Sequence, residues 1–177
     1  MIDLPARLAL RCKATPLRPA CPGVVPRGPY SHGLVVSGPQ RVNQFWVFDL
    51  QQGAPNDSSP TLNRPPGVLH VTIYGGNIGQ AIGGMAFPGG RRNALLRDGI
   101  VAGKRPKPLL FGPVTWSGKM GALFLAPSYP VGGQIGGHLA FWWKARGTNY
   151  LISIHAWEPL AECKKALQAM VASTGSR

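Results

Sequence analysis

Acid is the scarcest functional group in this chain. Six Asp and Glu stand against 19 Lys and Arg over 177 residues. Asp3, Asp49, Asp57 and Asp98 are scattered, and no two acids share a strand or helix spacing suited to two-carboxylate hydrolysis. Cysteine is nearly as rare, with three in all. A structural zinc site needs more ligands at tighter spacing, so zinc is set aside and no cofactor is expected. Long apolar runs are missing too. The longest, such as Leu139 to Trp143, fall far short of the roughly 18–20 residues that a membrane-spanning helix requires. Asp3, Pro5 and Arg7 interrupt any signal-peptide core in Met1 to Leu10. Leu8 to Cys12 departs from a lipoprotein box at Arg11, where a small residue is needed. On this reading the chain is either cytoplasmic or begins downstream of an export signal.

Apolar residues make up 44%, a globular proportion, while only 14% are charged. There is room for one domain with a sizeable core, and two would be cramped. The 24 glycines and 18 prolines are almost one residue in four, which suits short strands and turns rather than long helices. The net charge of +13 attracts anions of any kind: nucleic acid, acidic lipid or an anionic polymer. Its densest cluster is Lys104, Arg105 and Lys107, with Arg91, Arg92 and Arg97 near in sequence. Elsewhere the charge is diffuse, as Arg-rich coding bias would also produce.

Residues 1–30 are rich in proline and read as an irregular arm, with residues 31–177 as a single domain. A Cys12–Cys21 disulfide would order the arm, and Cys163 reads as a buried free thiol. In chain order the strands are Leu34–Ser37, Gln44–Leu50, Val68–Tyr74, Leu109–Trp116 and Met120–Ala126. Pro113 directs Leu109–Trp116 to an edge or a bulge. Ser117-Gly118-Lys119 turns the chain between the last two strands. Gly75 to Gly90 lacks the Gly-Lys-Ser/Thr of a phosphate loop and the helix of a dinucleotide fingerprint. A bent strand near Gln80 to Phe87 is the better reading.

The C-terminal forty residues carry the clearest pattern. HLAFWWKA and YLISIHAW flank Arg146-Gly147-Thr148-Asn149 and read as a β-hairpin. With Gly147 and Thr148 as the loop, Trp143 faces Ile152, Phe141 faces Ile154 and Leu139 faces Ala156, an apolar face bound for the core. The opposite face carries His138, Trp142, Lys144, His155 and Trp157, the expected ligand-binding set, with His138 and His155 as diagonal neighbours. A helix follows, capped near Glu158 and Pro159. Its stripe of Leu160, Cys163, Leu167 and Met170 should pack on the hairpin.

No Gly-x-Ser-x-Gly occurs, and Ser153 with His155 is too local for a triad. APSYPVGGQIGGHLAFWW, YLISIHAWEPLAECKKAL and the N-terminal CPGVVPR resemble uncharacterised secreted or membrane-tethered actinobacterial domain proteins. That resemblance implies an exported domain without an assigned activity.

The expected fold is α+β: one largely antiparallel sheet of about seven or eight short strands, with the C-terminal helix on one face. Three functions are weighed. The first is a non-enzymatic extracytoplasmic binding or interaction domain whose ligand the sequence does not name, an anionic surface or polymer being one candidate partner. The second is a nucleic-acid module using Arg91, Arg92, Lys104, Arg105 and Lys107. The third is an enzyme with a histidine site at His138 and His155.

Overall fold

The computed structural model describes residues 1–27, 34–42, 45–52, 70–76, 109–127, 135–156 and 159–175. Among these residues, seven strands form one antiparallel sheet. They are β3 (Leu34–Val42), β4 (Phe45–Gln52), β5 (His70–Gly76), β6 (Leu109–Trp116), β7 (Lys119–Leu125), β8 (His138–Ala145) and β9 (Thr148–His155). The spatial order is β3-β4-β5-β9-β8-β7-β6. Two meanders, β3 to β5 and β6 to β9, therefore join where β9 pairs with β5. Helix α2 (Leu160–Ala172) closes the chain and packs on β8 and β9, and the fold is α+β.

Alternation along the strands builds the main core. Phe48 and Leu50 of β4, Val71 and Ile73 of β5, Leu139, Phe141 and Trp143 of β8, and Ile152 and Ile154 of β9 all lie on one face. Cys163, Leu167, Met170 and Val171 of α2 cover that face, with Leu160 and Ala166 partly buried beside them. Each fully buried side chain of this kind contributes about 1.5–3 kcal/mol. The other face has a smaller apolar cluster: Val47, Tyr74, Phe124, Ala126, Ile135, Ala140 and Leu151.

The N-terminal segment is not irregular. It forms β1 (Ile2–Asp3), α1 (Ala6–Lys13), a 3-10 turn at Arg18–Ala20 and β2 (Val24–Val25), with β1 and β2 paired antiparallel. Leu4, Leu8 and Cys12 recur every four residues, and all three are buried in the main core with Leu17, Ala20, Cys21 and Val25. Prolines hide this helix because they flank it: Pro5 is its N-cap, where no amide donor is lost. Cys12 and Cys21 are joined in a disulfide with Cα atoms 5.9 Å apart, and Cys163 is buried outside that bridge. The Ser173 hydroxyl, just past α2, accepts from the Gly23 and Val24 amides at 2.9 and 3.2 Å. Arg11 donates to the Gly38 carbonyl at 2.8 Å. The two chain ends and an edge strand are thereby tied together.

Pro113 lies on β6, which is an edge strand with a bulge between Leu110 and Gly112. At the other edge, β3 runs through Pro39 to Val42 by way of an irregularity between Ser37 and Gln40, rather than stopping at Gly38. The hairpin register also differs from expectation. Ala145 pairs with Thr148, so Arg146 and Gly147 are the loop, with φ of 49° and 81°. Positive φ at both positions is the I′ arrangement, and Ser117-Gly118 between β6 and β7 repeats it with 49° and 73°. Trp143 now faces Tyr150, Phe141 faces Ile152 and Leu139 faces Ile154. The partner strand has slipped by two residues, an even number, so every side chain keeps its expected face.

Candidate functional site

That two-residue slip places His138 directly opposite His155 rather than diagonal to it. Their ring centroids are 5.3 Å apart in an edge-on arrangement. Both belong to the second sheet face, and β5 brings a third histidine to it. His70 Nδ1 lies 3.0 Å from His138 Nε2. On its other side, His70 Nε2 is 2.8 Å from Asp49 Oδ1, which also accepts the Thr72 hydroxyl at 2.8 Å. His138 Nδ1 is 3.1 Å from the Ser153 hydroxyl. The pairings Asp49 with Thr72 and Thr72 with Ser153 line these groups up across β4, β5 and β9.

The carboxylate sets the direction of this chain. Ionised Asp49 can only accept, so His70 carries a proton on Nε2. When His70 is neutral, its Nδ1 is bare and must accept from His138 Nε2–H. His138 then has a bare Nδ1, which accepts the Ser153 hydroxyl proton. Every bond is made, and each tautomer is fixed by the group before it. One added proton on His70 reverses the middle of the chain. His70 Nδ1–H donates to His138 Nε2, His138 donates from Nδ1 to Ser153, and the Ser153 hydroxyl turns to the Thr72 carbonyl 3.5 Å away. The relay thus accommodates either protonation state without leaving a buried partner unmatched.

Depth decides what each group can reach. His138 is 1% exposed and Ser153 0%, whereas the His70 and Asp49 side chains are 16% and 21% exposed. Burial, then the nearness of His70 and His155, holds the His138 imidazole well below the ordinary histidine range. Burial, then His70, also lowers His155, against a backbone bond to Ala156 that raises it. The Tyr74 phenol is pushed up, mainly by burial and further by Asp49. All three groups, the two imidazoles and the phenol, stay neutral near pH 7.

Of the five residues expected to bind a ligand, Lys144 is exposed, while Trp142 and His155 are partly buried. His138 is closed off, and Trp157 lies outside the described residues. So do the bent strand expected near Gln80 to Phe87 and the basic set Arg91, Arg92, Lys104, Arg105 and Lys107. Asp49 and His70 lie outside the expected ligand-binding set, although His70 is one of the chain's four histidines and so a natural catalytic candidate. Their signal is present in the sequence: a lone acid interrupts the apolar run FWVFDL, and His70 alternates with Thr72 opposite Val71 and Ile73. Among the described residues no group of three or more His, Cys, Asp and Glu is placed to hold a metal ion. Both His138 nitrogens already have protein partners, so it has no lone pair to offer one. No family model, curated protein or solved structure matches this chain.

Proposed function

We propose that the chain is a non-enzymatic, extracytoplasmic binding domain that takes an anionic polymer or surface on its second sheet face, around Lys144, Trp142 and His155. One observation carries this reading: Ser153, the serine of the histidine relay, is fully buried, while Lys144 is exposed and Trp142 and His155 are partly so, alongside the Asp49–His70 pair. A hydroxyl with no access to solvent is a poor nucleophile whatever its hydrogen-bond partners. The net charge of +13 favours an anionic partner, and the Cys12–Cys21 disulfide favours an oxidising compartment. No helix among the described residues is long and apolar enough to cross a membrane. The test is retention on immobilised polyglycerol phosphate across a salt gradient. Lys144→Ala and Trp142→Ala should each elute at lower salt than the parent chain. Unchanged elution of both variants removes this face as the contact.

A second reading rests on the relay. Asp49, His70 and His138 could pass a proton, as a histidine-centred enzyme would require. His70 is then the group a substrate would meet, since His138 is buried. Loss of a measured turnover in His70→Gln, with Lys144→Ala unaffected, would favour this reading over the first.

A further inference from the structure

The far end of the β8–β9 hairpin from the His138–His155 pair opens into a cleft of about 490 Å³. Its lining is Arg18 and Pro19 of the 3-10 turn, Ala145, Arg146 and Tyr150 of the hairpin, and Gly175 beyond α2. Three separate parts of the chain therefore meet there. The volume lies within the roughly 300–1,000 Å³ range of small-molecule sites. The lining is mostly apolar, and Tyr150 is 6% exposed, stacked on Trp143 with ring centroids 5.6 Å apart. Among the described residues, the two arginines are its only charged groups. Neither guanidinium has a hydrogen bond or ion pair among the described residues, and both residues are exposed. Two unpaired forks beside an apolar floor suit a ligand with an anionic head and an apolar body.

We propose that this cleft binds a small amphiphile, its carboxylate or phosphate head between Arg18 and Arg146 and its apolar body over Tyr150, Pro19 and Ala145. Arg146 sits in the loop at φ 49°, so the turn that closes the hairpin also aims one of the two cations. The disulfide between Cys12 and Cys21 holds the segment that carries the other.

Calorimetric titration of the whole chain with decanoate, decyl phosphate, decanol and acetate tests this. At least one of decanoate and decyl phosphate should bind saturably, about tenfold or more tighter than decanol and than acetate. Whichever binds tighter identifies the head group. The Trp143 fluorescence should change with the same midpoint, through its stack on Tyr150. Arg18→Gln and Arg146→Asn should each weaken binding, and the double variant should bind decanoate no better than decanol. Asn tolerates positive φ, so the turn survives the second substitution. Equal affinity for decanoate, decyl phosphate and decanol, acetate as tight as decanoate, or no saturable binding by either anionic amphiphile overturns the proposal. The comparison on the parent chain needs no variant to fold.

Discussion

His70 Nδ1 and His138 Nε2 lie 3.0 Å apart although a whole strand, β9, runs between the strands that carry them. The two rings reach toward one another over β9 and meet edge to face, with centroids 4.6 Å apart. This contact joins a surface-accessible aspartate–histidine pair to a fully buried histidine–serine pair. It makes four side chains into one hydrogen-bonded unit.

The first expected outcome concerns tautomers. With Asp49 ionised and His70 neutral, both imidazoles of the contact carry their proton on Nε2. Nitrogen NMR of labelled histidine should report that tautomer for His138 wherever the same spectrum shows His70 neutral. Nδ1–H on His138 under those conditions would mean the relay runs the other way.

Cooperativity of the unit is a second expectation. Ser153→Ala leaves His138 Nδ1 without its partner, and His70→Leu does the same for Nε2, each costing about 1–3 kcal/mol in urea unfolding. His138 bonds both, so the two losses should not add. A double-mutant cycle should give a coupling above about 0.5 kcal/mol. Additivity within about 0.3 kcal/mol would show that the relay is not one unit.

Acid should weaken the fold. His138 and His155 are both held below the ordinary histidine range, so the unfolded chain takes up protons before the folded one does. Below about pH 6.5 the unfolded state binds more protons, and stability falls as pH drops further. Above that value these two groups contribute no slope. The melting temperature should be lower near pH 5 than near pH 7.5. His138→Asn should shrink the difference while keeping an amide within reach of Ser153. Identical melting temperatures at the two pH values would contradict the buried neutral state.

The cysteines give a fourth. In denaturant without reductant one thiol should titrate, that of Cys163, and after reduction three. Breaking the disulfide should cost about 2–3 kcal/mol for a loop this short. Three thiols before reduction would remove the main support for an oxidising compartment.

Packing between β7 and β8 supplies the last. A methyl group at Gly121 would overlap the Trp142 carbonyl and press on the Phe141 ring. Gly121→Ala should therefore destabilise by about 1–3 kcal/mol or more, although alanine elsewhere in a strand is no worse than glycine. Urea unfolding is the readout, and a neutral result would mean that β8 can yield here.

Period and punctuation made much of this architecture legible. Alternating residues assigned Leu139, Phe141, Trp143, Ile152 and Ile154 to the core, and the stripe on α2 found its face. Even the wrong turn position left the faces intact, because a two-residue slip preserves alternation. The helix α1 was hidden by the prolines around it, and its evidence was Leu8 and Cys12 on the helix, in step with Leu4 just before its cap.

The sequence by itself determined which side chains share a face, since that depends on local alternation. Only the tertiary structure decided which of them meet. His70 and His138 are 68 residues apart, and their contact depends on β5 joining β9. Arg18 and Arg146 share a cleft because the N-terminal segment packs on the same face as α2. Such pairings are set by strand order and long-range packing, which no local period encodes.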